Sequence, residues 1–205
     1  MKESIIKSTM ENLKRNGFNV KFFTNAEDAK TALLEEFTAD ESVGFGGSVT
    51  VDKLGIYEAL KERGNPLSWH WRVSEGENRK DIYRRSANAD IYISGTNAIT
   101  EGGSLINIDG TGNRLSGMLY GHKKTIIIAG VNKIAGNYEE AMLRIKNVAC
   151  PANARRLNRN TPCAQLGKCM NCSSPERICK ATLIIDRQPS GVPITIYLIN
   201  EELGF

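Results

Sequence analysis

At 205 residues, with 40% hydrophobic and 24% charged side chains, the chain has the length and composition of one soluble globular domain. Its net charge of +4 comes from basic residues interspersed with acidic ones, which argues against a dedicated nucleic-acid binder with Lys and Arg gathered in one stripe. No run is apolar for the length that a bilayer span needs.

The N-terminal run MKESIIKSTMENLKRNG places Ile5, Ile6, Met10 and Leu13 on one helical face, with Gly17 as the stop. This is an amphipathic helix rather than the basic and apolar regions of a signal peptide, so the chain is expected in the cytoplasm, where thiols stay reduced. Residues 19–23 predict a strand, and Thr24 or Asn25 the cap of a helix to about Phe37. A strand over 42–45 then ends in Gly46-Gly47-Ser48, and a helix runs from Thr50 through Leu60 to the stop Gly64-Asn65-Pro66. A strand over 68–73 carries Trp69 and Trp71 at alternating spacing, and a helix over 77–87 follows. The clearest buried strands are 90–94 (DIYIS) and 124–129 (KTIIIA), short, β-branched and bounded by turn residues. Between them, 104–108 predicts a further strand ahead of the turn-rich 109–113; a helix over 138–148 and a closing strand pair, 181–185 with 194–199, complete the chain. Such alternation predicts an α/β fold: a mostly parallel sheet with helices on both faces, in a single domain over 1–205 with a Cys-rich insertion at about 151–180.

Ligands of open parallel sheets lie beyond the carboxyl ends of the strands. Three such ends carry suitable residues: Gly46, Gly47 and Ser48; Asn97, Thr100 and Glu101; and Asn132 with Lys133. Together they predict a polar pocket for a small anion, with close-approaching backbone, one acid and one lysine. Each element also has an ordinary reading as a turn, a cap or a surface charge. Gly110-Thr111-Gly112 completes neither a dinucleotide fingerprint nor a phosphate loop, and His70 and His122 have no ligand spacing, so both are expected in packing or at the surface.

Four of the five cysteines, Cys163, Cys169, Cys172 and Cys179, fall within seventeen residues as C-x5-C-x2-C-x6-C. Such clustering has three common explanations: a metal or iron–sulfur site, a disulfide knot, or a redox pair. Thiolates suit zinc and iron–sulfur clusters alike, and the C-x2-C pair fits two ligands on one centre, but neither the zinc-ribbon nor the ferredoxin spacing is complete. Cys150, before Pro151, reads as a fifth thiol or a plain buried one. Arg155, Arg156, Arg159, Lys168, Arg177 and Lys180 surround the segment; they balance thiolate charge or meet an acidic partner, and no aromatics accompany them to stack bases.

The stretches GFGGSVT (44–50), ADIYISGTNAITEGGSLINIDGTGNR (89–114) and KKTIIIAGVNKIAG (123–136) resemble the LUD family, named for lactate utilization. The resemblance runs from about Gly44 to the end of the chain and takes in the cysteine segment; Gly102 departs from the residue many relatives carry after the glutamate. It implies a fold similar to the NagB, RpiA and CoA-transferase group, and association with oxidation of lactate to pyruvate alongside iron–sulfur partner proteins. On that basis an iron–sulfur cluster is ranked ahead of zinc at the four cysteines. By likeness to CoA-transferases, Glu101 is a candidate nucleophile. The expected function is therefore a LUD-type component of lactate or organic-acid metabolism. The alternatives are an acyl-CoA or phosphosugar-type enzyme on the same pocket, or a non-catalytic electron-transfer or assembly subunit, with a homo-oligomer open in each case. The cysteine cluster reads as an accessory centre set apart from the pocket.

Overall fold

The computed structural model describes residues 1–205 and contains two sheets. The larger is six-stranded and parallel throughout, in the order β1 (Asn19–Phe23), β10 (Ile194–Ile199), β7 (Lys124–Gly130), β4 (Ile91–Gly95), β2 (Val43–Phe45) and β3 (Leu67–Trp69). Side chains alternate across it. Ile126 and Ile128 of β7, with Tyr197 and Ile199 of β10, enter one core; Ile127 and Ala129, with Ile196 and Leu198, enter the other. With both faces buried, these strands carry continuous apolar runs, as parallel strands must.

Helices α2 (Ala26–Leu34), α3 (Val49–Leu54) and α4 (Ile56–Glu62) cover the first face. The second face is covered by α1 (Glu3–Arg15), α6 (Asn113–Leu119) and part of a smaller sheet. That sheet has the order β8 (Ile134–Ala135), β5 (Ala98–Thr100), β6 (Leu105–Asp109) and β9 (Ala181–Ile185), with β5–β8 parallel and the other pairings antiparallel. α5 (Arg79–Ala87) lies against β2 and β3, and α7 (Tyr138–Arg144) packs on β5. No helix is long and apolar enough to cross a membrane.

The α/β architecture agrees with the expectation from sequence; several details differ. The strands 181–185 and 194–199 do not pair with each other: β9 joins the small sheet and β10 the large one. The expected helix through Thr50 and Leu60 is broken at Gly55, which adopts the left-handed conformation (φ 66°). The strand expected over 68–73 ends at Trp69, whose buried ring stacks on Phe45 and Trp71. The helix expected over 138–148 continues through a π turn (Ile145–Ala149) into α8 (Cys150–Arg156), so the Cys-rich segment begins inside helical structure. Pro151 accounts for the wide turn: it has no N–H to give and its ring crowds the carbonyl four residues back.

One partly buried ion cluster ties three parallel strands to the end of α2. Lys124 Nζ on β7 donates to Glu36 Oε2 (2.9 Å) and to the Glu36 carbonyl (2.7 Å), while Lys21 on β1 and Tyr197 OH on β10 donate to Glu36 Oε1. Burial pushes the Glu36 carboxyl up, but these donors outweigh it and hold the group at about 2 against an ordinary 4.5. A carboxylate depressed in the folded state stabilises the fold above its unfolded pKa, and that contribution is lost as pH falls through the folded value. Glu36→Gln should therefore be less stable than wild type at neutral pH by about 1 kcal/mol after allowance for solvent screening, with the gap closing between pH 4.5 and about 2. Thermal melts of both proteins across that range check it; a gap independent of pH would remove Glu36 from the acid response.

Candidate functional site

The carboxyl ends of β2, β4, β6 and β7 open into one cleft of about 910 Å³. Gly47, Ser48 and Thr50 enter it after β2, Gly95 to Asn97 after β4, Asp109 to Thr111 after β6, and Lys133 from the 3-10 turn Val131–Lys133 after β7. Opposite stand α8 and the Cys-rich segment, through Cys150, Asn153, Arg156, Arg159 and Pro175–Ile178. Ile178 and Lys180 are held at the end of β6, where Lys180 N donates to the Asp109 carbonyl (3.0 Å). The segment that read as distant from the pocket is a wall of it.

Glycine is required twice at the β2 end. A Cβ on Gly46 would lie 2.6 Å from Ser94 Oγ, and one on Gly47 3.0 Å from Trp71 Nε1 and 3.1 Å from His70 Nε2. The missing side chains let β4 and an aromatic shelf close on this backbone. In that shelf Trp71 carries the Arg156 guanidinium on its face, 4.3 Å from the ring centroid, and His70 stacks on Tyr83 at 4.7 Å. Burial and the nearby Arg79 push His70 down to about 4, and its buried Nδ1 has no partner. His122, by contrast, is a packing residue stacked on Tyr92.

Asn97 is a latch. Its N–H donates to Asn107 Oδ1 (3.1 Å), its Oδ1 accepts from Ile108 N (2.9 Å) and from an Arg114 guanidinium nitrogen (3.0 Å), and its carbonyl accepts from Arg144 (2.7 Å). Arg144 also donates to the Asn132 carbonyl (2.8 Å), and Asn132 Oδ1 accepts from Leu203 N (3.2 Å), so the turn bearing Lys133 is braced from two sides. Ser48 Oγ caps α3 by accepting from Val51 N. Of the predicted pocket residues, Gly47, Ser48, Asn97 and Lys133 line the cleft; Gly46 and Asn132 stand behind it. Thr100, the last residue of β5, and Glu101, on the turn to β6, lie outside the cleft. There Thr100 Oγ1 accepts from Ser104 N, while the Glu101 carbonyl accepts from Asn12 and its N–H donates to Ala135.

The cleft is strongly cationic: Arg72, Arg79, Arg114, Lys133, Arg156, Arg159, Arg177 and Lys180 line it against only Asp109 and Glu176. Arg72 is paired with Asp52 (2.7 Å) and Glu58 (3.2 Å), and Arg114 faces Asp109 (3.7 Å); the other six make no ion pair. Arg156, Arg159, Arg177 and Lys180, expected from the sequence to balance thiolate charge or meet an acidic partner, line the cleft. Arg79, Arg114 and the aromatic shelf carry no expectation from the sequence, where the alternating Trp69-His70-Trp71 is the signal that points to the shelf. Lys133 is only 2% exposed and its Nζ has no hydrogen-bond or ion partner. Burial, reinforced by Arg144 and Lys53, lowers it to about 7.

All five cysteines are free thiols, Cys150 and Cys163 buried and the other three half-buried. Burial, then the neighbouring Cys179, Cys163 and Cys169, pushes the Cys150 thiol up to about 12. Arg177 organises the segment by donating to the carbonyls of Cys179 (2.8 Å) and Cys172 (2.6 Å). No three His, Cys, Asp or Glu side chains are gathered as a group able to hold one ion. No chemistry is derived through a zinc or iron–sulfur centre at these cysteines.

A family model described as the LUD domain matches residues 6–199. No curated protein matches the chain. Among solved structures, a DUF162 family protein from Deinococcus radiodurans is similar over 96% of both chains, with a TM-score of 0.55 at 10% identity, which shows a shared fold. Ribose 5-phosphate isomerase from Plasmodium falciparum overlaps 55% of this chain and 52% of its own, at 21% identity and a TM-score of 0.29.

An unpartnered buried lysine costs the fold free energy whenever its ammonium is kept. A base with a lowered folded pKa destabilises fully at and below that value, and less as pH rises toward the unfolded value. Lys133→Met should therefore raise stability by about 1–3 kcal/mol at pH 7, the gain shrinking between pH 7 and 10.5. Melting temperatures across that range check this, and a destabilised variant would show that Lys133 has a structural partner.

Proposed function

This chain belongs to the LUD domain family, and we propose that it serves organic-acid (lactate) utilization by holding a small organic anion in the cleft at the strand ends. The observation that carries this reading is the unpaired charge. Arg79, Lys133, Arg156, Arg159, Arg177 and Lys180 converge on one concave site and none is in an ion pair, while the cleft's own carboxylates are only Asp109, which faces Arg114, and Glu176. Such a surplus raises the local concentration of anions and stabilises a bound carboxylate through charge-assisted hydrogen bonds.

The surrounding residues supply orientation. The Asn97 latch and the braced turn at Lys133 fix the strand-end groups, while Trp71 and Arg156 offer a flat surface for the body of the ligand. At about 910 Å³ the cleft is roomier than a three-carbon acid requires, which leaves space for a longer anion or a co-bound molecule. Oxidation of lactate to pyruvate releases two electrons, and on this reading they pass to an iron–sulfur partner protein. Glu101 lies outside the cleft, so the reading gives no role to a carboxylate nucleophile.

Lactate, pyruvate and longer or phosphorylated organic acids, titrated calorimetrically beside neutral amide analogues, test the reading. At least one anion should bind, more weakly as salt is raised. Charge reversal at the exposed positions, Arg159→Glu or Lys180→Glu, should weaken that binding about tenfold or more with little change in melting temperature. Failure of every anion to bind, or binding indifferent to both reversals, would refute it.

A further inference from the structure

Lys133 differs from the other cleft cations. Those are exposed or half-buried, whereas Lys133 is 2% exposed and lines the cleft with no hydrogen-bond or ion partner for Nζ. The positive groups acting on it are Arg144 and Lys53, with no carboxylate among them. Arg144 is itself committed to the carbonyls of Asn132 and Asn97. A protein that needed only an anion anchor would use an arginine, which stays charged when buried. A lysine held this way sheds its proton near neutral pH and offers a primary amine with a free lone pair.

Position favours a reaction. Lys133 stands on a tight turn at the end of the central strand β7, and the turn is pinned by Arg144 and by Leu203 through Asn132. The side chain is therefore fixed at its base, and the residue lines the cavity. An organic anion drawn into the cleft meets the cations that line it, while Arg144 and Lys53 act on Lys133 from outside that lining. With its carboxylate held by the lining cations, the carbon next to the carboxylate is the atom offered to the amine. For that carbon to be attacked it must be a carbonyl.

We propose that Lys133 forms a Schiff base with the 2-carbonyl carbon of a 2-oxo acid held in the cleft. The Nζ lone pair attacks the carbonyl carbon, the C=O π pair moves to oxygen, and a proton passes from nitrogen to that oxygen, giving a carbinolamine. Loss of the hydroxyl with one further proton as water leaves the C=N bond, with no oxidant or reductant consumed. The ligand class follows from two requirements, a carboxylate for the positive field and an adjacent carbonyl for the amine; pyruvate is the smallest such acid. This rests on the reading of the cleft as an organic-anion site.

The test incubates the full chain with pyruvate and sodium cyanoborohydride, which reduces an imine to a stable secondary amine, and locates adducts by intact mass and peptide mapping. A single adduct on the peptide containing Lys133 is expected, reduced about tenfold or more in Lys133→Met and unchanged in Lys61→Met, an exposed position on α4 outside the cleft lining. Because Lys133→Met is expected to be more stable than wild type, loss of labelling does not reflect unfolding. Calorimetry with pyruvate and no reductant runs in parallel. Binding without an adduct overturns the Schiff base and leaves the anion site standing. If neither binding nor an adduct is seen with pyruvate or with longer 2-oxo acids, the Schiff base fails, and the anion site fails with it if lactate and the other organic acids also do not bind. Labelling spread over surface lysines and equal in Lys133→Met overturns the assignment to Lys133.

Discussion

The structure depends on the parallel pairing of β7 with β4 and β10. A strand buried on both faces must be covered on both, and here the two covers differ in kind. Helices α2, α3 and α4 close one side, while α1, α6 and the small sheet close the other. Parallel direction also means that every strand of the large sheet ends at the same edge. The loops after β2, β4 and β7 converge there for a geometric reason that precedes any function.

The two sheets meet at that edge through hydrogen bonds rather than apolar packing alone. Asn97 leaves β4, reads the backbone of β6 and Asn107, and receives Arg144 from α7. The asparagine that a site-seeking reading would offer to a ligand is largely spent on holding the scaffold. Ser48 is spent in the same way on a helix cap. The groups left with unmet demand are charged ones, the unpaired arginines and Lys133, and it is these that give the cleft its chemical character. The cost of burying Lys133 without a partner is the kind of local destabilisation that folds carry at functional positions.

The cysteine segment takes on a different meaning in three dimensions. Its thiols do not come together as a ligand set, yet its arginines and its chain direction build a wall of the cleft. Arg177 serves both purposes, organising the carbonyls of Cys172 and Cys179 while lining the cavity. The π turn ahead of Pro151 sets the face of α8 so that Cys150, Asn153 and Arg156 recur toward the same space.

Local patterning settled much of this fold in advance. Short β-branched runs bounded by turn residues identified β4, β7 and β10, helical spacing identified α1, and glycines placed the turn after β2, because these signals are written within a few residues of each other. The same patterning could not say that 181–185 belongs to a second sheet, since β9 pairs with β6, more than seventy residues away in the chain. Nor could it say that Glu101 faces away from the cleft while Lys133 faces in, or that four arginines and lysines near the cysteines look across at strand ends. Those outcomes depend on how β5, β6 and β9 fold back over the large sheet. Residue types were fixed by the chain itself; which of them share a dielectric environment, and so which charges go unpaired, was decided only by tertiary packing.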